Sequence, residues 1–419
     1  MLKDHADNNA APRLSWAGKK VRAADIEGEL SRLWHMSADN VRMSHNINVR
    51  TSVLNFVICA PDTATAQQAS MLIRDLASTH IARVVLLILD TSDLPSSVST
   101  WVTLRSFPMA SDLMRHHFEQ ITVMISGAAR HDAAQIIQPL FKQDLPAYLW
   151  WLHDFPTDIA LLRRISSHCN RVIVDSSTFT RPVDSMSDLS ALVRDLPNCA
   201  FSDLNWTRIS PWRELIAQFF DVAEYRPYIT GVNQITIEHA AASSSQARNT
   251  TGSASQEGSS NPLQAVLLSL WLKACLGWTH TSDDETSIYD PAMQTYTWPM
   301  ARHTGTLSPG RSSRTAPSSI VLHARTDSDV LPGSICLVRL DSLRDDNRRA
   351  SFHIHRDDDL HVTTFVELDQ GSRPPRTVHL AAEQNAYHLL HNELEMTCRD
   401  TLYEEALHEV FDLTTKQRA

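Results

Sequence analysis

Glycine is the residue this sequence has least of for its size. It holds 11 glycines among 419 residues, about 2.6% against a typical ~7%. Few positions can therefore turn through φ > 0 or let backbone close on a phosphate. No two glycines form a G-x-G pair, so the dinucleotide fingerprint and the cofactor enzymes built on it are excluded. Cysteine is sparse too. The six, at 59, 169, 199, 275, 336 and 398, show no C-x-x-C and no tight spacing, the pattern of reduced cytosolic thiols and not of a disulfide framework or a zinc site. Positive charge is short as well: 38 Lys and Arg face 48 Asp and Glu, a formal charge of −10. Basic pairs such as Lys19-Lys20 stand isolated, so no nucleic-acid partner is expected. Long apolar runs are also missing. The longest stretch, Pro262 to Trp278, contains Gln264 and Lys273 and is too short to span a bilayer. The polar start MLKDHADNNAAPRLSW has no apolar signal core, and a cytoplasmic protein with no membrane partner is expected.

What is present is an alternation. VLNFVICA (53–60), ARVVLLILD (82–90), QITVMISG (120–127), PAYLWWL (146–152) and RVIVDSS (171–177) are short, nearly continuous apolar runs. Such runs fit strands buried on both faces of a parallel sheet. Val98 to Phe107 is expected to add an antiparallel strand. Between them Asp62 to His80, His131 to Lys142 and Asp158 to His168 have helical periodicity, with Asp62 as an N-cap and Pro139 as a kink or stop. Ahead of them Ile26, Leu30, Leu33 and Trp34 mark one face of an amphipathic helix. Beyond residue 182 the order changes. Ser210-Pro211 predicts a capped helix to about Val222, and Asn261-Pro262 another to Leu276. Strand-like runs follow at 292–299, 319–325, 334–341, 350–356 and 361–368, then one long helix from about Leu380 to Asp412. The fold class predicted is α/β followed by α+β: a doubly wound, mostly parallel layer, then antiparallel strands with a long terminal helix. The expected divisions are a tail and helix at 1–48, an α/β domain at 49–182, and an α+β domain at 183–415. The last carries a flexible Ser-rich insertion at 241–261.

Most candidate chemistry fails on inspection. Gly305 to Ser312 has Walker A spacing, but Arg311 replaces the lysine, Pro309 removes a donor, and no buried strand precedes it. His353 and His355 share a strand face that Asp357 or His361 could join at a metal, yet the surrounding charges describe a solvated hairpin. His388, His391 and Glu395 share a helix side without the H-E-x-x-H order. G-x-S-x-G is absent, so no nucleophile is assigned, and neither catalytic residue, metal nor cofactor is expected. Cys169 and Cys199, flanking the fifth strand and its following loop, are candidate redox thiols, although incidental buried cysteines are commoner.

Two clusters do stand out. In Asp144-Leu-Pro-Ala-Tyr-Leu-Trp-Trp-Leu-His-Asp154, alternation sends Trp150 and Trp151 to opposite faces of one strand end. At least one indole is then expected near the surface or a domain seam. In Asp203-Leu-Asn-Trp-Thr-Arg-Ile-Ser-Pro-Trp-Arg213, two tryptophans and two arginines surround a helix start. The plain reading makes the tryptophans core and pairs the arginines with Asp175 and Asp203. Taken together, the clusters suggest a charged-aromatic platform of the kind that dominates protein interfaces. Trp150, Trp151, Asn205, Trp206, Arg208, Trp212 and Arg213 would form it, with Asp175, Ser176 and Ser177 closing the adjacent strand end.

RTSVLNFVICAPD (50–62), DLPAYLWWLHDFP (144–156), RVIVDSSTF (171–179) and DLNWTRISPWRELIAQFFD (203–221) resemble, in this order, motifs of the OpcA family of glucose-6-phosphate dehydrogenase assembly proteins. The resemblance covers about residues 50–225, and residues 226–419 match only in general layout. It implies a protein without catalytic residues that binds glucose-6-phosphate dehydrogenase, promotes its assembly or active state, and so supports NADPH production in the oxidative pentose phosphate pathway. In photosynthetic members this coupling is linked to thioredoxin, which would make thioredoxin a further partner. The alternative is an enzyme or sensor for a sugar phosphate, held at the same strand ends by Arg208, Arg213 and the helix start at Ser210.

Overall fold

The structure, a computed structural model, describes residues 14–42, 47–49, 52–77, 79–90, 95–108, 114–152, 154–241, 261–281, 288–290, 295–304, 314–326, 330–380 and 385–418. The Walker-like loop at 305–312 and all of the Ser-rich insertion but Ala241 and Asn261 lie outside the described residues, as does His153. The chain forms two compact units. The first comprises Met1–Val174, Leu196–Phe201 and Leu390–Cys398; the second comprises Asp175–Asp195, Ser202–Leu389 and Arg399–Ala419.

The first unit is built on a sheet of nine strands: β1 (Lys19–Val21), β2 (Ile47–Val49), β3 (Leu54–Ala60), β4 (Ala82–Asp90), β5 (Ser97–Pro108), β6 (Met114–Ser126), β7 (Ala147–Trp151), β8 (Arg171–Val174) and β9 (Ala200–Asp203). Their order is β1-β5-β6-β4-β3-β7-β8-β9, with β2 beside β6. Every residue of β3 is buried, and all but the last of β4, which is why both read as nearly continuous apolar runs, broken only by Asn55 and by Arg83 and Asp90. β4, β6, β7 and β8 join the parallel ladder, whereas β5 runs antiparallel to β6, as its sequence position suggested. From β3 the chain adds β4 and β6 on one side, then β7, β8 and β9 on the other. The order of construction reverses between β3 and β7, the point where open α/β sheets form a crevice.

Helix α1 (Ile26–Arg42) buries Ile26, Leu30 and Trp34 along the expected stripe, and Leu33 is half-buried. The Trp34 Nε1–H donates to buried Glu119 at 2.6 Å, and Arg83 and Lys142 lie 3.3 and 3.6 Å from that carboxylate. A buried carboxylate needs such compensation. Helix α2 (Thr63–Leu76) starts where predicted. Asp62 caps it, accepting from the Thr65 N–H at 2.8 Å. The helix expected over 131–142 is three short pieces, a 3-10 turn at Gly127–Asp132, α3 (Ala133–Ile137) and a second 3-10 turn at Gln138–Leu140. Pro139 accounts for the last break, because it supplies no N–H to continue the ladder. Helix α4 (Ile159–Ser166) is capped by Asp158.

The second unit holds α5 (Pro182–Asp195), α6 (Leu204–Arg208), α7 (Ser210–Asp221), α8 (Leu263–Leu276) and a ten-stranded sheet. Its strands are β10 (Val232–Ala240), β11 (Thr279–His280), β12 (Ile288–Asp290), β13 (Thr295–Thr304), β14 (Arg314–Arg325), β15 (Ile335–Leu343), β16 (Arg349–Arg356), β17 (His361–Leu368), β18 (Gly371–Ser372) and β19 (Arg376–His379). All pair antiparallel except β10 with β14. The mixed α/β and α+β class expected from the sequence is the one observed. Gly277, in the left-handed conformation at φ 63°, ends α8 with its N–H on the Ala274 carbonyl. This is one of the few turns where glycine is required.

The single long helix expected at the C-terminus is two. Residues near 376–380 belong to β19 and its continuation, and α9 (Ala386–Glu395) is separated from α10 (Thr401–Arg418). The break is built by Asp400, whose carboxylate accepts from the Tyr403 N–H at 3.0 Å and starts a new helix. Ser210 is likewise not the predicted cap of α7. Asp203 caps the extra helix α6 seven residues earlier, and Ser210 is the first residue of α7, its Oγ accepting from Arg213 at 2.7 Å. Among the described residues no helix is long and apolar enough to cross a membrane.

Candidate functional site: the carboxyl ends of the central strands

The crevice between β3 and β7 is where a doubly wound sheet would receive a nucleotide, with the pyrophosphate at the N-terminus of the helix after β3. Here that helix start is occupied by the protein itself. The Asp62 carboxylate accepts from both the Thr65 N–H, at 2.8 Å, and the Thr65 hydroxyl, at 3.1 Å. The connection from β3 reads Ala60-Pro61-Asp62-Thr63, with no glycine to bring backbone near an anion. A fixed negative charge thus sits where a phosphate would lie.

Two strands away, the ends of β8 and β9 lead into a polar clasp that belongs wholly to the second unit. Asp175 caps the turn Ser176–Thr178, accepting from the Ser177 N–H at 3.1 Å and its hydroxyl at 2.6 Å. Arg208 from α6 donates to both Asp175 oxygens, at 2.7 and 2.5 Å. Asp203 is fully buried, and its Oδ1 accepts from the Ser176 and Asn205 N–H groups at 2.9 Å each. The Asn205 amide donates to the Ser176 hydroxyl at 3.0 Å, and that of Asn261 to the carbonyls of Ser176 and Phe179 at 2.7 and 3.2 Å. The two carboxylates differ. Arg208 and Ser177 outweigh burial and hold Asp175 below the usual carboxylate range, whereas burial, helped by Asp175, lifts Asp203 to about 7. The Ser177 hydroxyl donates to Asp175, and the Ser176 hydroxyl accepts from Asn205.

The remaining candidates fall into place around packing. Trp150 and Trp151 are 4% and 8% exposed. Neither indole reaches the surface, which leaves the other alternative of the expectation, a domain seam, untouched. Trp150 lies parallel to Phe56 at 6.4 Å, and Trp151 donates to the Asp154 carbonyl at 3.2 Å. Trp206, Trp212 and Asn205 are buried as well. Trp206 donates to Asp400 at 2.7 Å, packs its ring on Tyr403, and carries the Arg213 guanidinium 4.2 Å above its face. Arg356 stands 5.3 Å over Trp212. Arg208 and Arg213 are half-buried and committed to internal partners, and Ser177 is exposed. Sequence reasoning had no signal for Asn261 or Asp400, which lie far along the chain from the motifs they complete.

Cys169 and Cys199 belong to the first unit and are both buried. Burial pushes the Cys169 thiol up, and Cys199 adds to the effect. Cys275 and Cys398 are exposed. The histidines of the sheet hairpin do not converge. His353 stacks on Phe365 and lies 3.6 Å from Glu367, His355 lies 3.5 Å from Asp357, and His361 lies 2.9 Å from Asp358.

Comparison with known proteins matches this order of elements to a family in two pieces. Residues 73–191 match the glucose-6-phosphate dehydrogenase subunit N-terminal domain, and residues 199–407 match the corresponding C-terminal domain, both family models of OpcA. The chain belongs to the OpcA family. The OxPP cycle protein OpcA of Synechocystis sp. is 32% identical over 164 residues, which are 39% of this chain and 30% of that protein. Its namesake in Nostoc punctiforme is 31% identical over 173 residues, 41% of this chain and 33% of that one. The match therefore spans about a third of the length of these OpcA relatives. Among solved structures, levoglucosan dehydrogenase is similar with a TM-score of 0.43 at 9% identity, covering 87% of this chain and 89% of that one. The oxidoreductase YvaA from Bacillus subtilis is similar with a TM-score of 0.44 at 8% identity, covering 87% and 95%. Likeness at this level says nothing about activity.

Proposed function

We propose that this chain is a non-catalytic assembly factor and allosteric effector of glucose-6-phosphate dehydrogenase, acting in the oxidative pentose phosphate cycle and so supporting NADPH production. The observation that carries the reading is the match of both parts of the chain to domains described as a glucose-6-phosphate dehydrogenase subunit. The site supports it in a different way. The helix start that would grip a cofactor is capped by Asp62, and Arg208 and Arg213, which could have held a sugar phosphate, already have internal partners. The platform is then a rigid one. Trp206, Trp212 and Asn205 hold its shape from inside, while Ser177 and the outer edges of Arg208 and Arg213 face a docking protein. Trp150 and Trp151 belong to the first unit, where they pack within β7.

An effector of this kind binds one form of the dehydrogenase more tightly and shifts the population by that difference in affinity. The test mixes the purified chain with the dehydrogenase of the same source and reads kinetics and oligomer distribution together. A change in either that saturates with added chain is expected. If both stay unchanged, with and without reduced thioredoxin, the reading fails. Calorimetric titration of the chain alone with glucose 6-phosphate, 6-phosphogluconate and NADP is expected to give no heat of binding.

A further inference from the structure

Among the described residues of the first unit, three potential metal ligands come together. His80 lies in the turn between α2 and β4, and its Nε2 is 2.7 Å from Nδ1 of His391 and 3.7 Å from a carboxylate oxygen of Glu395. His391 and Glu395 stand four residues apart on α9, so they share a face one turn apart. One donor atom from each of the three lies within 4.8 Å of the others. The group runs from buried to exposed: the His80 side chain is 9% exposed, and that of Glu395 is 65% exposed. Behind His80 the wall is apolar, lined by Leu76, Ala77, Phe118 and Leu394.

We propose that His80, His391 and Glu395 bind a divalent transition ion of the zinc type, with solvent completing the coordination. Two imidazoles and one carboxylate suit borderline ions of this kind, and three protein ligands leave one position open. Zinc–nitrogen bonds of about 2.0–2.1 Å at tetrahedral angles separate two ring nitrogens by roughly 3.3 Å, so the histidine pair must part by about 0.6 Å. The turn that carries His80 and the exposed Glu395 side chain can give that much. Both imidazoles bind the ion in their uncharged form. The ion would take the place of the hydrogen bond between the rings, the proton of that bond moving to the other nitrogen of its own ring, and would fasten two segments 311 residues apart in the chain.

The test uses the full chain carrying Cys275→Ser and Cys398→Ser, so that exposed thiols do not compete. Zinc chloride is titrated calorimetrically, and cobalt chloride is followed by its visible absorption. One site per chain is expected, with nitrogen and oxygen ligation in the cobalt spectrum and a higher melting temperature. His80→Ala and His391→Ala should each weaken binding by about 100-fold or more, and Glu395→Gln by about 10-fold. Glu395→Gln alters an exposed side chain, so it reads out in a folded protein. Failure of either metal to bind, or binding that persists at full strength in all three variants, overturns the proposal. Because the readout needs no dehydrogenase, its failure is separate from failure of the proposed function.

Discussion

Arg208 grips both carboxylate oxygens of Asp175, at 2.7 and 2.5 Å, and each side chain of the pair is 16% exposed. The contact joins the turn after β8 to the helix after β9. The same two chain segments are joined again by Asp203, whose single oxygen accepts from Ser176 and Asn205. An ion pair this far from water costs more to break than to omit, since removing one partner strands the other charge. Arg208→Ala should destabilise the protein by roughly 2–3 kcal/mol in urea unfolding, and Arg208→Lys should recover only part, because an ammonium cannot bond both oxygens in parallel. Equal stability of Arg208→Ala and the native chain would refute the structural role of the pair.

Asp203 gives the clasp a pH dependence of unusual sign. Its folded value is raised from 3.8 to about 7, so the fold favours the protonated form. The stabilisation is complete below about pH 4 and is lost as pH rises through 7, opposite to an ordinary salt-bridged carboxylate. Asp203→Asn keeps the oxygen that accepts from Ser176 and Asn205 and removes the titration. Relative to the native chain it should gain stability with rising pH, on the order of 1 kcal/mol per pH unit between pH 4 and 7. A stability difference that is flat across this range would show that Asp203 ionises normally.

The cap on α2 can be tested alone. Asp62→Ala removes the acceptor for the Thr65 N–H and hydroxyl and should cost about 1 kcal/mol. NADP should leave the melting temperature of the native chain unchanged, because the carboxylate already fills the anion position. A clear thermal shift with NADP would restore the enzyme reading.

Thiol reactivity separates the cysteines by burial. Cys275 and Cys398 should react with maleimide in the native protein, and Cys59, Cys169, Cys199 and Cys336 only in denaturant. Mass spectrometry of the labelled chain decides it. Rapid native labelling of Cys169 or Cys199 would return them to candidacy as redox switches.

Local patterns carried most of the first unit. The buried runs at 53–60 and 82–90, the cap at Asp62 and the stripe Ile26, Leu30, Trp34 were legible because each depends on neighbours within a few residues. The errors came where a distant partner overrode a local preference. Ser210 reads as a cap, but Asp203, engaged with Ser176, starts a helix seven residues earlier. The C-terminal helix read as continuous although Asp400, which also accepts from Trp206, restarts it.

The glycine shortage, the strand-helix alternation and the family motifs were set by the sequence alone, since composition and short-range periodicity need no tertiary contact to be read. Tertiary structure decided what the polar residues do. Trp150 and Trp151 alternate in sequence, yet a sheet covered on both faces buries both. His391 and Glu395 share a helix side in any reading, but only folding brings His80 to 2.7 Å from across 311 residues. Loop closure over that span is invisible to periodicity, because its cost is met by the packing of the whole unit and not by any pattern near either histidine.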